Sequence, residues 1–289
     1  MNFKQKDICL HTGQAMSLSQ TDLEEAIRHA NQMADAAGAA IMPYFRSFGR
    51  IENKLADAGD DLEHLFDPVT LADRAGEQAI LDVLAITRPD DSVLGEESGF
   101  KQGRSGLCWV LDPIDGTRGF VCGLSSWGTL IALYDGSSSV VGLMDQPVLK
   151  ERFIGSAAGA VMIDQSGTHK LSVSGKSNLR EAFLCTTSPD LFKEAHSKVL
   201  ASLTGAVAMT RYGTDCYGYA MLAAGMVDAV VEPGLQSYDI QALIPIVTSA
   251  GGVISDWQGE PLVEGGNVVA SASPELHEQI LHCISNACV

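Results

Sequence analysis

The stretch Leu111-Asp-Pro-Ile-Asp-Gly-Thr-Arg-Gly-Phe120, LDPIDGTRGF, follows the apolar run Cys108-Trp109-Val110-Leu111, which reads as the end of a buried strand. Two aspartates with a proline between them run into Gly116-Thr117, which opens a helix. Neither negative charge can pair with the other, so their placement at a strand end needs a cause. Pro113 stiffens the loop, so that Asp112 and Asp115 can face one side and share or bracket cations. Gly116 allows close backbone approach to an anion, and Thr117 offers both an N–H and a hydroxyl at a helix start.

Around this stretch the pattern is of strands and hairpins from Cys108 to about Val173, with Gly128–Tyr134 and Val140–Met144 flanking an Asp-Gly turn. Before it, helical spacing predicts a helix from about 22 to 47, with Thr21–Glu24 as a capping box and Pro43 as a kink or break. A polar, turn-rich loop follows at 56–63, then a helix over Asp73–Thr87. After about 180, strands (Phe183–Thr186, Val207–Met209, Val227–Val231, Gly252–Ser255) alternate with helices (Asp190–Leu203, Asp215–Ala224, Asp239–Ala250). The expected class is α/β: an α+β N-terminal half, 1–175, packed against an α/β C-terminal half, 176–289.

The 289-residue chain is long enough for a substantial core and lacks the apolar runs of a membrane span. With 19 basic against 36 acidic residues, its net charge of −17 repels nucleic acid and anionic lipid. An anionic substrate would be repelled too, unless cations are bound where it must sit. Seven cysteines without a C-x-x-C pair, several inside apolar runs, read as reduced core residues. The N-terminus shows no signal-peptide pattern, so a cytoplasmic location is expected. The seven histidines show no metal-ligand spacing; His64, in the polar loop, is the one placed to approach a site.

Acidic residues recur at predicted element ends: Asp67-Pro-Val-Thr-Leu-Ala-Asp73, Gly95-Glu96-Glu97-Ser98, Asp112-Pro-Ile-Asp115 and Ser237-Tyr238-Asp239-Ile240. Each alone reads equally as a helix cap or a solvated turn. Together they suit Mg²⁺, which prefers carboxylates, carbonyls, water and substrate phosphate.

The stretches DPVTLAD (67–73), GEES (95–98), WVLDPIDGTRGF (109–120) and YDIQA (238–242), in this order, resemble the successive signatures of the inositol monophosphatase family, from about residue 20 to the C-terminus. The resemblance implies a layered αβαβα fold, a homodimer, and a lithium-sensitive phosphomonoesterase using two or three Mg²⁺ ions. It assigns the first metal to Glu96, Asp112 and the Ile114 carbonyl, and the second to Asp112, Asp115 and Asp239. A third ion would sit by Glu96, with Asp73 reaching it through water; Glu97 would be structural. Asp73 and Thr117 would orient the attacking water, and the Gly116 and Thr117 amides would receive the phosphate.

Substrate choice rests on other residues. In Arg211–Cys216, Thr214 is followed by the carboxylate Asp215, where inositol phosphatases usually carry a small uncharged residue. Glu232, in Val231-Glu-Pro-Gly234, matches the family's substrate-contacting glutamate. Two carboxylates facing the leaving group suit a cation such as histidinol phosphate better than a polyol. Arg118, the run Trp127–Leu133, Asp145–Val148 and the Tyr217/Tyr219 pair also resemble the histidinol-phosphate phosphatase branch. The expected substrate-binding set is Arg118, Thr214, Asp215 and Glu232, with a plain helix N-cap before Cys216–Ala224 as the alternative reading of Asp215. Tyr212, Tyr217 and Tyr219 read either as stacking partners for an imidazole or as core. The alternatives are an inositol-1-phosphate or broad small-monoester phosphatase and, against the charge, a regulatory RNA-associated protein.

Overall fold

The computed structural model describes residues 18–47, 71–193 and 196–287. The 55–66 loop, His64 and residues 67–70 of the first acidic motif lie outside them. Helix α1 (Gln20–Ile41) begins at Ser19, not at Thr21. The Ser19 hydroxyl accepts from the Asp22 N–H at 3.2 Å, and the Asp22 carboxylate accepts from the Ser19 N–H at 2.8 Å. The capping box is therefore Ser19/Asp22. The helix stops at Ile41 and residues 42–46 form turns, because Pro43 has no N–H with which to continue the ladder. Helix α2 (Leu71–Thr87) packs on α1 and buries Ala72, Asp73, Gly76, Glu77, Ile80 and Leu84.

These two helices cover one face of a mixed eight-stranded sheet. Its strands are β1 (Ser92–Gly95), β2 (Gly99–Lys101), β3 (Cys108–Asp115), β4 (Gly128–Tyr134), β5 (Ser139–Gln146), β6 (Glu151–Ser156), β7 (Gly159–Asp164) and β8 (Gly167–Lys170). The spatial order is β2-β1-β3-β4-β5-β6-β7-β8, with β1 and β3 parallel and every other pair antiparallel. Along β3 and β4 the side chains alternate. Trp109, Leu111, Ile131 and Leu133 join the α1/α2 core, whereas Cys108, Val110, Leu130 and Ala132 join the core shared with the second half. At the predicted Asp-Gly turn, Asp135 Oδ1 accepts from the N–H groups of Ser137 and Ser138 at 2.8 and 2.9 Å.

The short helix α3 (Thr117–Val121) follows β3. A second sheet holds β9 (Phe183–Thr186), β10 (Met209–Tyr212), β11 (Ala229–Gln236), β12 (Val253–Asp256) and β13 (Gly265–Ser271), in the order β10-β9-β11-β13-β12. With them come α4 (Ser197–Ala206), α5 (Asp215–Ala223), α6 (Ser237–Ile240), α7 (Leu243–Ser249) and α8 (Pro274–Ala287). Helices α5 and α7 lie between the two sheets, while α4 and α8 pack together on the outer side of the second. The layers therefore run αβαβα, and the fold is α/β.

Three expected elements differ. The helix expected over 190–203 starts only at Ser197, because Ser188 caps a separate 3₁₀ turn at Pro189–Leu191. The strand expected at 207–209 forms at Met209–Tyr212, where it pairs in parallel with β9. The helix expected over 239–250 is two helices, α6 and α7, parted at Gln241-Ala242. There the Gln241 amide donates to the Val263 carbonyl at 2.7 Å and its oxygen accepts from the Ser139 hydroxyl at 2.5 Å, ties to two other segments.

Cys122, Cys185, Cys216 and Cys283 are free thiols, but Cys108 is disulfide-bonded, which departs from the all-reduced expectation. Among the described residues no helix is long and apolar enough to cross a membrane.

Candidate active site

In a regular strand, residues three apart point to opposite faces. Asp112 pairs with Leu130 and Asp115 with Gly128, so β3 spends one residue more than β4 between these two pairings. That is a β-bulge, and Pro113, which has no N–H for the ladder, sits in it. The Pro113 carbonyl is satisfied instead by the Thr129 hydroxyl at 2.8 Å, and Asp112 Oδ1 accepts from the Ile114 N–H at 3.0 Å. The bulge re-aims Asp115 to the side that Asp112 faces.

Asp239 joins them from α6. Its Oδ2 accepts from the Gln236 N–H at 2.7 Å in a capping box that fixes the carboxylate at the end of β11. One oxygen from each of Asp112, Asp115 and Asp239 lies within 4.8 Å of the others. Burial and the neighbouring carboxylates push both Asp112 and Asp115 well above the usual carboxylate range. Glu96 adjoins the cluster through a side-chain hydrogen bond with Asp112. It is raised to about 8, first by burial and then by Asp239, with Asp73 adding to the rise. Asp73 is itself 3% exposed, on the first turn of α2. A set of oxygen donors that repel one another when ionised fits a hard divalent cation, whose charge removes the repulsion. Asp112, Asp115 and Asp239 would hold it, with Glu96 alongside.

Gly116 closes the bulge at φ 87°, a left-handed backbone that glycine adopts without strain. A Cβ there would lie 3.1 Å from Asp215 Cβ and from Trp127 Cα. The Thr117 hydroxyl donates to the Ile114 carbonyl at 3.1 Å, the same oxygen the resemblance gives to a metal.

The two halves meet here. Asp115 Oδ2 accepts from the Cys216 N–H at 2.7 Å, so a carboxylate of the first half satisfies a free amide at the start of α5. Asp215 does not cap this helix: Thr214 holds the cap position, and Asp215 is its first residue, at φ 44°. Left-handed backbone at a non-glycine residue is strained, by about 1–3 kcal/mol. The Asp215 carboxylate instead lines a cavity of about 100 Å³ with Glu232, Thr187, Leu191, Tyr219, Leu235, Leu243 and two members of the carboxylate cluster, Asp115 and Asp239. Burial raises Asp215 to about 6; Ser126, whose hydroxyl is 3.5 Å away, and the charge of Arg118 act against the rise.

Glu232 is buried and pushed up to about 7, by burial first and also by the charge of Asp215. It accepts from the Thr187 N–H at 2.8 Å, from the Thr187 hydroxyl in a short hydrogen bond, and from the Tyr219 hydroxyl at 3.3 Å. Of the residues expected to bind substrate, Asp215 and Glu232 come together in this cavity. Arg118 is exposed beside it, and Thr214 keeps its hydroxyl buried next to the Cys185 thiol.

The tyrosines separate as well. Tyr219 is buried at the cavity, Tyr217 donates to Glu151 at 2.5 Å, and Tyr212 is exposed on β10. His277 is a core residue between the Ser255 and Ser271 hydroxyls, and burial lowers it to about 4. Thr187, just after β9, is not marked by any pattern in the sequence. A lone threonine after a strand carries no signal; only the packing of β9 beside β11 puts it against Glu232.

The sequence pattern of the inositol monophosphatase family matches residues 22–287. The chain is similar to a bifunctional phosphatase of Arabidopsis thaliana, designated chloroplastic, at 38% identity over 92% of this chain and 77% of that one. It is 37% identical to a histidinol-phosphatase of Streptomyces coelicolor, covering 90% of this chain and 97% of the other. Among solved structures, an inositol monophosphatase from Zymomonas mobilis superposes with a TM-score of 0.79 at 37% identity, over 93% of this chain and all of that one (100%).

Proposed function

Because the chain belongs to the inositol monophosphatase family and is a phosphoric monoester hydrolase, we propose that it hydrolyses L-histidinol phosphate to L-histidinol and phosphate. The observation that carries this reading is the pairing of Asp215 with Glu232 in one small cavity beside the metal-type cluster. Histidinol phosphate offers an ammonium and an imidazole, both donors, and both gain from charge-assisted hydrogen bonds to carboxylates. Inositol offers only neutral hydroxyls, which can donate to the same carboxylates but bring no positive charge to offset them. Leu191, Leu235 and Leu243 line the same cavity, an apolar wall beside which a charge pair gains strength.

Asp112, Asp115 and Asp239, with Glu96 and the Ile114 carbonyl, are the proposed ligands of two or three Mg²⁺ ions, which Li⁺ would compete with. When bound, such ions supply positive charge for the phosphate oxygens and lower the pKa of water. The chain's own residues do the rest in this reading. Asp73 and the Thr117 hydroxyl orient the attacking water, and the Gly116 and Thr117 N–H groups face the phosphate. Asp215 and Glu232 hold the cationic leaving group in line, with Arg118 at the rim. A homodimer completes the reading, supported by the family resemblance.

Inositol 1-phosphate is the second reading, favoured by the similarity to the Zymomonas mobilis enzyme. Phosphate release from the two esters, at equal concentration with Mg²⁺ present, separates them. A higher kcat/KM on L-histidinol phosphate is expected; a preference for inositol 1-phosphate rejects the proposed substrate.

A further inference from the structure

We propose that Glu77 is a positioning residue for Glu96, acting through the backbone of the loop that carries it; this rests on the metal-dependent reading above. Glu77 lies one helical turn after Asp73 on the buried face of α2 and is 2% exposed. Its Oε2 accepts from the Glu97 N–H at 2.9 Å and its Oε1 from the Ser98 N–H at 2.7 Å. On the other side of the same residue, the Glu96 N–H donates to the Leu111 carbonyl of β3 at 3.1 Å. Glu96 is thus held between β3 and a carboxylate of α2, with its side chain left to meet Asp112.

Gly95 shows how close this approach is. A Cβ there would lie 2.6 Å from Glu77 Oε2 and 2.7 Å from its Cδ, so any larger residue at the end of β1 would push the carboxylate out of its present place. Among the described residues Glu77 forms no ion pair, and its charge is met by the two backbone N–H groups alone. Burying a carboxylate this way is costly, and a neutral side chain would fill the same space. What the carboxylate adds is two acceptors aimed at successive amides, which sets the direction in which Glu96 leaves the chain. Helix α2 therefore presents Asp73 directly and Glu96 through Glu77. Partners that orient a metal ligand in this way are worth about 10–100-fold in metal affinity.

The test is calorimetric titration of Mg²⁺ alone into the metal-stripped full chain, alongside thermal melts without metal. The proteins are the parent, Glu77→Gln, Glu77→Asp and Asp228→Asn. Glutamine keeps the shape but turns an amide N–H₂ toward one of the two backbone donors; aspartate keeps both oxygens but withdraws them by one methylene. Asp228 is the structural comparison: equally buried, it accepts from Ser174, Lys176 and Phe183, none of them near the carboxylate cluster. Glu77→Gln is expected to weaken Mg²⁺ binding by about 10–100-fold, and Glu77→Asp by less. Asp228→Asn is expected to lower the melting temperature with Mg²⁺ affinity unchanged. Parent-like affinity in both Glu77 variants overturns the proposal, and so does an equal loss in Asp228→Asn. If Glu77→Gln does not fold, Glu77→Asp against Asp228→Asn makes the same comparison. A parent that takes up no Mg²⁺ overturns the metal-dependent reading itself, a separate failure.

Discussion

Strands β3 and β11 end in the same way, yet their carboxylates are treated differently. Each carries an acidic residue followed by proline, Asp112-Pro113 and Glu232-Pro233, and each slips by one residue against its antiparallel neighbour at that point. At β3 the slip gathers carboxylates: Asp112, Asp115 and Asp239 crowd within 4.8 Å, and their mutual repulsion calls for a cation. At β11 the slip leaves Glu232 with protein donors, the Thr187 amide and hydroxyl and the Tyr219 hydroxyl. A carboxylate with few donors and many like charges is a metal ligand in waiting. One already held by fixed donors is a rigid, moderated charge, suited to recognising a positive group. In the proposed function the same backbone device thus serves two kinds of chemistry, and the surrounding donors decide which.

The largest effect should come from the β3 end. Asp112→Asn removes a charge from the centre of the cluster, and losing the metal's contribution of several kcal/mol should lower phosphate release at least about a hundredfold on every ester. A variant that keeps full activity in Mg²⁺ would remove Asp112 from the metal set. At the β11 end, Glu232→Gln should act selectively. A hydrogen bond to a charged group is worth about 1.5–3 kcal/mol, so kcat/KM for L-histidinol phosphate should fall about tenfold to a hundredfold, and clearly less for inositol 1-phosphate, whose neutral hydroxyls bring no charge to the contact. Equal loss on both esters would make Glu232 structural.

Stability against pH compares the two ends in one experiment. Glu96 and Glu232 are raised from 4.5 to about 8 and about 7. Groups raised by folding contribute stability that is complete below the unfolded value and lost as pH rises through the folded one. Without metal, the melting temperature should therefore fall as pH climbs from about 5 to about 8.5. Mg²⁺ should recover the part that arises at Glu96 and leave the part at Glu232. A melting temperature that rises over this range would contradict the crowding. The smallest effect is expected of Gly116→Ala, which strains a backbone at φ 87° and presses on Asp215 and Trp127. A cost of about 1–3 kcal/mol would appear as a melting point lower by several degrees; no change would mean the loop relaxes.

Much of this was legible from local pattern. The alternation of strands and helices after 180, the Asp-Gly hairpin at Asp135 and the acidic motifs at element ends all follow from short-range spacing. What was not legible depends on partners far along the chain. Asp112 and Asp115 share a side because β4 is one residue shorter between their pairings, which no reading of LDPIDGTRGF alone reveals. Asp215 read also as a helix cap, because the group that does serve the start of α5 is Asp115, from the other half. Thr187 and Glu77 carried no motif, and only packing gives them their acidic or amide partners. The break between α6 and α7 likewise arises from Gln241 reaching Val263 and Ser139.

The central claim is that the β3 bulge carries the reaction while Asp215, with Glu232, chooses the ester. The most direct test is the ratio of kcat/KM for L-histidinol phosphate to that for inositol 1-phosphate, measured in the parent and in Asp215→Ala. A ratio above one is expected in the parent, dropping about tenfold or more in the variant as losing a charge-assisted hydrogen bond requires, while hydrolysis of inositol 1-phosphate continues. An unchanged ratio would contradict the claim.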